Sequence, residues 1–600
     1  MSSIKKDTAS SQEPELDLRT AEEIQAEQDA HLGVKTVEAA EKVYGRHSKW
    51  FLFIGLGLAS YIYSLDGSTT YTYLAFAASS FGKHSLISSI QVAQSIIVAC
   101  GKPVIAKLAD VTSRGTAYLA VLVFYVIGYI VIASARSVGA IAGGIVVYAC
   151  GYTGLQLLTQ VIIADITTLK WRGLVSALTS VPFIINGFIG ANVSTSVLEH
   201  AGWRWGYGMF AILIPVSLSP LIITLYWAER KAKKLGLVTN PAPEAPKKSL
   251  FQTLWKYAEQ MDLVGLLLLG AAVSLILIPL TISQTVKDGW NNPSIIAMLV
   301  VGVVLLFVFG GWDFKMAKFP VIALRFLKNR AVLAAAWIGF FDFVSFYLTN
   351  TYLFSFVLVV KPWPLINATY FSSCISVALT VFGICAGVYM RFAQRYKWLL
   401  VVGLVIRLVG VGMMIHSRGA NASDAEIVWT QIIQGLGGGI AAAASQVGAQ
   451  ASVSHADVAI ITAVVLLWTE IGGAIGSALA GAIWTNTMPK NLAKYISFVS
   501  AEEQATLFGS ITDVTQYPRG TPIREGVIQA YSDTMKVMVI AATCLSVLPV
   551  ICSLFMPDYY LGDTQNAVEN VDLTGAPVAP APTVDTVDVD ELAETEERRV

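Results

Sequence analysis

The chain has 600 residues, of which 55% are hydrophobic and only 14% are charged. Soluble domains carry about a quarter charged residues, so this chain has too few charges to cover a water-exposed surface. Lys plus Arg and Asp plus Glu number 41 each, and this balance does not favour nucleic acid or another polyanion as a partner. The composition therefore predicts a membrane protein whose main surroundings are the lipid bilayer.

Apolar runs recur along most of the chain. A transmembrane helix needs about 20 mostly apolar residues to cross the hydrocarbon of a bilayer, and runs of that length predict about fourteen spans. They lie near residues 50–74, 86–106, 116–135, 138–160, 174–195, 205–228, 263–283, 294–313, 331–358, 368–389, 398–416, 428–449, 458–484 and 534–556. The fold class predicted from these runs is an all-α membrane protein.

Basic residues are distributed unequally between the loops that join these spans. Because Lys and Arg accumulate in short cytosolic loops, the clustered basic loops predict that both chain termini are cytosolic. The largest cluster lies in residues 229–261, whereas the loops on the other side carry single basic residues. Two Asn-x-Ser/Thr sequences, at Asn367 and Asn421, fall in loops predicted to be external and are therefore candidate N-glycosylation sites.

The first and the ninth predicted spans contain a similar segment. The run Thr-Tyr-Thr-Tyr-Leu at 70–74 in the first span resembles Thr-Asn-Thr-Tyr-Leu at 349–353 in the ninth. Duplicated halves are common in secondary transporters, so the sequence predicts two pseudo-symmetric six-helix bundles plus two inserted helices. The predicted segments are a cytosolic N-terminal tail 1–49, an N-terminal bundle 50–228, a cytosolic linker 229–261, an inserted helix pair 262–314, a C-terminal bundle 315–556 with an external loop 486–532, and an acidic cytosolic tail 557–600.

Four charged residues fall in the middle of predicted spans. Each such charge costs about 2.5–3.5 kcal/mol on insertion scales, so each is expected to have a function or a partner. The two carboxylates predicted to exchange protons are Asp66 and Glu470. The other two charges and the polar or aromatic residues near Asp66 and Asp342 are predicted to bind substrate: Tyr63, Thr70, Tyr73, Asp342, Phe346, Thr349, Tyr352 and Arg407.

A structural interpretation of these charges stays open. A buried ion pair, for example Arg407 with a carboxylate, would only hold helices together. Lys102 lies nearer the cytosolic end of its span, where a lysine can extend its amino group to the membrane interface, and it is not counted as functional. Trp484 lies at a predicted helix end and fits an interfacial aromatic belt.

Signatures of enzymes and of ATP-driven pumps are missing from the sequence. The chain has no GxxxxGK[ST] phosphate-binding loop, and its six histidines show no HExxH or paired spacing. Its six cysteines lie in apolar stretches without CxxC spacing, which argues against both a disulfide framework and a metal site. We therefore expect no catalytic residues, no resident metal and no cofactor.

One loop resembles a signature of the major facilitator superfamily. Ala-Lys-Leu-Ala-Asp-Val-Thr-Ser-Arg at 106–114 is similar to the GxLaDrxGR loop between spans two and three of that superfamily. Asp110 and Arg114 match the signature, whereas three of its other positions differ. The resemblance implies that Asp110 and Arg114 belong to a loop that governs conformational exchange. The Leu-Asp pair at 65–66 resembles the first span of the fourteen-span proton-coupled branch.

A set of longer motifs is similar to the siderophore-iron transporters of fungi, a fourteen-span family of this superfamily. These motifs are Ala-Asp-Ile-Thr at 164–167, Trp-Arg-Gly at 171–173, Gly-Trp-Arg-Trp-Gly at 202–206, Asp-Leu-Val-Gly at 262–265, Ala-Ile-Ile-Thr-Ala at 459–463, Ile-Gly-Gly-Ala-Ile-Gly at 471–476 and Tyr-Tyr-Leu-Gly-Asp at 559–563. The resemblance implies proton-coupled import of intact ferric siderophores, with protons as the second partner and a contribution from the external loop.

Two alternatives of different kinds stay open at this point. Related proteins export drugs or exchange glutathione for protons, and a sequence does not reveal the direction of transport. A protein with the fold of a transporter can also act as a sensor that binds without moving its ligand. We expect a monomer in the plasma membrane, with endosomal or vacuolar vesicles as the alternative location.

Overall fold

The computed structural model describes residues 39–40, 43–80, 87–237, 255, 258–259, 262–282, 289–318, 320, 324–363, 365–454, 457–509 and 511–564. Most of the predicted N-terminal tail, the centre of the predicted linker and the tail beyond residue 564 lie outside these ranges. The helices are α1 (Arg46–Ser80), α2 (Ile87–Val111), α3 (Arg114–Ala133), α4 (Val138–Ile166), α5 (Leu169–Leu178), α6 (Val181–His200), α7 (Gly202–Lys234), α8 (Leu263–Ile282), α9 (Pro293–Lys315), α10 (Leu324–Lys328), α11 (Arg330–Asn350), α12 (Leu353–Val360), α13 (Leu365–Ala393), α14 (Lys397–Ser417), α15 (Asp424–Ala451), α16 (Val458–Tyr495), α17 (Ala501–Gly509), α18 (Ile511–Gln516) and α19 (Pro522–Leu554).

The predicted spans all overlap helical segments. Twelve helices in the described ranges are long and apolar enough to cross a membrane. Shorter apolar stretches, Gln94–Ala106 and Leu263–Pro279, fall on two further predicted spans. The fold class predicted from the sequence is therefore confirmed, and the count is close to the predicted fourteen.

Two predicted spans are each divided into two helices. The span predicted at 174–195 is interrupted between α5 and α6, where Pro182 in the first turn of α6 has no amide hydrogen to continue the helix. The span predicted at 331–358 is interrupted after Asn350. Here the guanidinium of Arg418 donates to the carbonyl of Thr349 at 3.1 Å, a carbonyl that an unbroken helix would pair with a later amide.

Helix packing follows the same pattern in the two halves of the chain. In the first half, α1 packs against α6 and α7, α3 packs against α4 and α7, and α2 packs against α4. In the second half, α11 packs against α16 and α19, α14 packs against α15 and α19, and α13 packs against α15. The matching pairs make α11 the counterpart of α1, as the repeat at 70–74 and 349–353 predicts.

The helices between the halves occupy the side of the molecule. Helix α8 packs against α2 of the first half and α16 of the second, and α9 packs against α8. Leu266 and Leu269 of α8 are buried in a small cluster with Leu467 of α16. Phe307 on α9 is 78% exposed, which suits a helix surrounded by lipid. Helix α8 therefore covers the seam between the two halves.

The segment predicted as an external loop is folded onto the second half. Leu507 and Val514 are buried in the same core cluster as α19. The Arg524 guanidinium donates to the carbonyls of Leu358 at 3.3 Å and Val359 at 2.8 Å, at the end of α12. These bonds satisfy carbonyls that the end of a helix leaves free and fix the segment against α12.

We predict the orientation of the chain from its basic loops. Epitope tags inserted at residue 240 or added at the C-terminus should be protected from a membrane-impermeant label in intact cells, whereas a tag near residue 509 should react. Permeabilised cells provide the control, because all three tags should then react. Labelling of the residue-240 tag in intact cells would contradict the orientation.

Candidate functional site

The centre of the first half depends on a close approach of α3 and α4. A Cβ atom on Gly128 would lie 2.5 Å from the backbone nitrogen of Tyr148, and one on Gly151 would lie 2.7 Å from that of Tyr125. Larger residues would therefore force the helices apart, since small residues are what permits such contact in membrane bundles. The two glycines bring tyrosines of both helices to one place.

Asp66 of α1 lies where these tyrosines converge. Its side chain is fully buried. The hydroxyl of Tyr129 donates to Oδ1, and the hydroxyls of Tyr125 and Tyr148 both donate to Oδ2, the bond from Tyr148 being 2.9 Å long. The carboxylate therefore receives hydrogen bonds from α3 and α4, two helices distant from it in sequence.

These hydrogen bonds determine which protonation states the site can hold. Burial opposes a charged carboxylate because the ion loses its hydration. Hydrogen bonds to an ionised acceptor are about twice as strong as neutral ones, so the three phenols offset that loss. A neutral acid also fits here, because a phenol hydroxyl can rotate and accept a hydrogen bond from the carboxylic acid. The geometry around Asp66 thus supports reversible protonation.

A small cavity of about 20 Å³, enough room for a water molecule, lies beside Asp66. The residues that line it come from α1, α2, α4 and α7: Gly67, Thr70, Gln94, Ile145, Tyr148, Tyr152 and Tyr207. Gln94 and Ile145 are two turns from the starts of α2 and α4, on the predicted external side. The cavity therefore lies between that side and the buried carboxylate.

The second half contains an ion pair on the equivalent helix. Asp342 Oδ1 lies 2.8 Å from Arg407 Nη1, and Arg407 also donates to the Asp342 carbonyl at 2.7 Å. Asp342 is partly exposed, whereas Arg407 is almost completely buried. The repeat at 70–74 and 349–353 aligns Asp342 with Tyr63 and aligns Ser345 with Asp66. The two halves are therefore chemically different at corresponding positions.

The predicted substrate-binding residues divide by exposure. Tyr63 and Phe346 are partly exposed, and Tyr63 stacks on Tyr152 with ring centroids 4.7 Å apart. Tyr73 and Thr349 are completely buried within their own halves, so a substrate would not touch them in this conformation. Thr70 lines the cavity beside Asp66.

Tyr352, the last predicted substrate-binding residue, is part of an aromatic cluster in the second half. It stacks on Trp484 with centroids 4.3 Å apart, and Trp484 contacts Tyr531 edge-to-face at 5.0 Å. Trp484 is 7% exposed, so the interpretation as a residue of the interfacial belt was wrong. Its helix continues to Tyr495, which places Trp484 inside α16 and not at its end.

An ion pair connects the two halves directly. Lys102 Nζ of α2 lies 2.7 Å from Glu470 Oε1 of α16. The Lys102 side chain is fully buried, and that of Glu470 is 18% exposed. The expectation that Lys102 extends to the membrane interface was therefore wrong, because a carboxylate on the other half holds it. Helix α8 packs against both helices of this pair.

Further contacts close the halves against each other on the predicted cytosolic side. The Gln446 side-chain amide of α15 donates to Gln160 Oε1 of α4 at 3.3 Å. The Arg391 guanidinium lies 4.2 Å from the ring centroid of Trp171. A Cβ on Gly387 would lie 2.5 Å from the backbone of Leu174. The described conformation is thus closed toward the cytosol.

The chain segment after α19 also bridges the halves on this side. The backbone amides of Leu169 and Lys170, at the start of α5, donate to two carbonyls of residues 557–564 at 3.1 and 3.2 Å. The amide of Leu561 donates to the Gln394 carbonyl at 2.9 Å, in the loop between α13 and α14. The Tyr-Tyr-Leu-Gly-Asp motif therefore caps a helix of one half and holds a loop of the other.

The last residue of the superfamily signature, Arg114, forms a buried ion pair with a residue of α4. Arg114 Nε lies 2.8 Å from Asp165 Oδ2, and both side chains are almost completely buried. The pair joins the start of α3 to the end of α4. The side chain of Asp110 lies outside the described part of the structure. Asn367 and Asn421, the candidate glycosylation sites, are exposed.

Sequence reasoning missed the tyrosines around Asp66 and the partner of Lys102. A signal for the tyrosines was present, because Tyr125 and Tyr129 are four residues apart, as are Tyr148 and Tyr152, a spacing that places two side chains on one helix face. No local pattern connected Lys102 with its partner. In the described ranges no group of three His, Cys, Asp or Glu residues is arranged to hold a metal ion.

Comparisons with known proteins agree with this architecture. The sequence model of the Major Facilitator Superfamily matches residues 56–360. The chain is 40% identical to "Siderophore transporter fer7" of Mycosarcoma maydis, with 94% of this chain and 89% of that protein covered. It is 38% identical to "Low affinity heme transporter str3" of Schizosaccharomyces pombe, with 90% and 87% covered.

Two further comparisons extend the same pattern. The chain is 36% identical to "MFS siderochrome iron transporter C" of Aspergillus fumigatus, with 89% of this chain and 88% of that protein covered. The crystal structure of the proton:xylose symporter XylE is similar in fold, with a TM-score of 0.50 and 12% identity over 88% of this chain and 98% of that one. The chain is a multi-pass membrane protein that belongs to the major facilitator superfamily and, within it, to the siderophore iron transporter family.

Proposed function

We propose that this protein imports intact ferric siderophores into the cell by proton symport, as a monomer in the plasma membrane. Two relatives support the substrate: one with 40% identity is named a siderophore transporter, and one with 36% identity is named a siderochrome iron transporter. Transport of the intact complex suits a chain whose described residues include no cluster able to take over a bare metal ion. The observation that carries proton coupling is the buried carboxylate of Asp66 with its three tyrosine donors.

The transport cycle follows from the two protonation states of Asp66. The described conformation is closed toward the cytosol, so a proton from the external side reaches Asp66 while substrate binds between the halves. Neutralisation of the carboxylate removes a buried charge and releases the phenols to rearrange, which permits the halves to rock. The membrane potential adds about 2.3 kcal/mol per 100 mV for each charge moved.

Substrate would contact the partly exposed residues between the halves. We assign this role to Tyr63 and Phe346, with Asp342 at the edge of its ion pair with Arg407. Tyr352 would form part of the same wall. Aromatic rings offer large rigid surfaces, and polar groups beside them fix the orientation of a bound molecule. The external segment folded onto α12 would limit access from outside.

The interfacial ion pair gives Glu470 a specific role in coupling. While Glu470 is ionised it holds Lys102, and the two halves stay joined through α2 and α16. Protonation of Glu470 would abolish the attraction and allow α2 and α16 to separate. Arg114 and Asp165 would control the rate of the exchange together with Asp110, which lies in the same loop as Arg114, because the ion pair joins the start of α3 to the end of α4.

A second substrate is favoured by one observation: a relative with 38% identity is named a low affinity heme transporter. Haem and a ferric siderophore are both complexes of iron with an organic ligand. The uptake experiment therefore includes a haem arm. Export of drugs or glutathione, and sensing without transport, are the remaining alternatives, and flux measurements separate both from import.

Uptake of a radiolabelled ferric siderophore tests the proposal. Cells that lack other siderophore carriers and express this protein should accumulate the label, and a protonophore should abolish the accumulation. An excess of unlabelled haem should compete only if the site accepts both molecules. Efflux of preloaded label, or saturable binding without entry, would contradict import.

Substitution of the buried carboxylate tests the coupling. In Asp66→Asn cells, accumulation against the gradient should be lost, because an amide cannot take up and release a proton, while downhill exchange of substrate stays measurable. Asp342→Asn is the matched control and should weaken substrate binding more than coupling. Undiminished, protonophore-sensitive accumulation in Asp66→Asn would make Asp66 structural and transfer the coupling role to Glu470 or Asp342.

Removal of the ion pair between the halves should change the conformation of the protein. Glu470→Gln removes the charge that holds Lys102, and breaking a buried pair destabilises by about 3–5 kcal/mol, so the closed cytosolic side should open more often. In a cysteine-free background, a cysteine at Ser176 should then react faster with a label applied to inside-out vesicles.

A matched control uses a pair that does not join the halves. Lys233 and Glu229 lie 2.7 Å apart within α7, so Glu229→Gln should leave the labelling rate unchanged. The double variant Lys102→Met/Glu470→Gln should restore much of the lost thermal stability, since neither charge stays unpaired. Equal labelling rates in Glu470→Gln and the parent protein would show that the pair does not hold the cytosolic side closed.

A further inference from the structure

Asp66 presents a problem of access. Its side chain is fully buried, so a proton arriving in water cannot reach either carboxylate oxygen directly. In the described ranges, three tyrosine hydroxyls donate to these oxygens. The Thr70 hydroxyl donates to the backbone carbonyl of Asp66 at 2.8 Å, and Tyr207 of α7 donates to the carbonyl of Thr70 at 3.2 Å. The phenols are therefore the groups best placed to pass a proton to the carboxylate.

The three phenols differ in what lies on their other side. Tyr125 and Tyr129 are completely buried and do not line the cavity beside Asp66. Tyr148 is 5% exposed and does line it. Tyr148 alone of the three thus contacts both the cavity and the carboxylate.

The helix packing keeps Tyr148 in this place. Its backbone lies against Gly128 of α3. Its ring contacts Tyr125 at 5.3 Å and Tyr129 at 4.9 Å on one side and Tyr152 at 5.6 Å on the other. Because these neighbouring rings restrict the Tyr148 ring, its hydroxyl stays directed at Asp66 Oδ2. Little conformational freedom is therefore lost at each proton transfer.

We propose that Tyr148 relays the proton between the cavity and Asp66. A hydronium ion in the cavity gives a proton to the Tyr148 oxygen as the existing hydroxyl proton passes to Asp66 Oδ2. Water remains in the cavity, the phenol ends neutral with one proton, and the carboxylate becomes the neutral acid. The step needs no tyrosinate, since one O–H bond forms at the phenol as the other breaks.

The inference rests on the proposed role of Asp66, and it names the route by which that residue is loaded. In this arrangement the Tyr148 hydroxyl stands between the cavity and Asp66. Water in contact with Asp66 would let protons leak through the protein, whereas a phenol passes one proton for each rotation of its hydroxyl.

Phenylalanine variants test the relay, because they remove only a hydroxyl. Tyr148→Phe should slow uptake driven by a proton gradient by about tenfold or more, at the low end of what positioned proton transfer contributes. Counterflow exchange of substrate, which needs no net proton transfer, should change by less than about twofold. The final accumulation should equal that of the parent protein, since Asp66 still sets the stoichiometry.

Tyr125→Phe is the matched control, because Tyr125 donates to the same oxygen, Oδ2, from outside the cavity. It should slow proton-driven uptake clearly less than Tyr148→Phe does, because it weakens the support of the carboxylate but leaves the route from the cavity intact. Equal slowing in both variants would mean that the hydroxyls only stabilise the carboxylate, and an unslowed Tyr148→Phe would exclude the relay. Melting temperatures of the purified variants verify folding. Tyr148→His is the second variant: its imidazole can also carry a proton, so it should keep part of the uptake rate that Tyr148→Phe loses.

The two hypotheses fail in different ways. If Asp66 is not the coupling site, Asp66→Asn will still accumulate substrate whatever happens at Tyr148. If Asp66 couples but Tyr148 is not the relay, Asp66→Asn will lose accumulation while Tyr148→Phe keeps the rate of the parent protein.

Discussion

A carboxylate buried in the middle of a membrane protein requires hydrogen-bond donors, and Asp66 receives them from two other helices. This requirement explains much of the first half. Gly128 and Gly151 allow α3 and α4 to touch, and that contact places the tyrosines of both helices around one side chain. Each element alone is unremarkable in a membrane helix: a small residue, a tyrosine, an acid. Their convergence gives one buried carboxylate three hydrogen-bond donors.

The two halves share a packing pattern but divide the chemistry between them. Ser345, the residue aligned with Asp66, bonds to Ser546 at 2.7 Å, a contact between two hydroxyls that do not ionise at ordinary pH. The second half instead has the ion pair of Asp342 and Arg407, in which the acid has a fixed cation. The two halves thus share a scaffold and carry different polar groups at equivalent positions.

The fold was predictable because its main signals are local. Apolar runs of about 20 residues identify spans, and a buried charge such as Asp66 or Glu470 is conspicuous in them. The partners of those charges are not local: Lys102 and Glu470 are 368 positions apart, and their pairing depends on how α2, α8 and α16 pack. The break after Asn350 is likewise accompanied by a distant contact, the bond from Arg418 to the Thr349 carbonyl. Sequence reasoning thus located the buried charges, but it did not predict partners that depend on tertiary packing.

The proposed mechanism requires Asp66 to gain and lose a proton. Infrared difference spectroscopy of the protein in lipid vesicles, between acidic and alkaline buffer, observes that event directly. We expect the carbonyl absorption of a neutral carboxylic acid in a buried site, present in acid, lost in alkali, missing from Asp66→Asn and retained in Asp342→Asn. An absorption that persists unchanged in Asp66→Asn, or is absent from the parent protein, would contradict it.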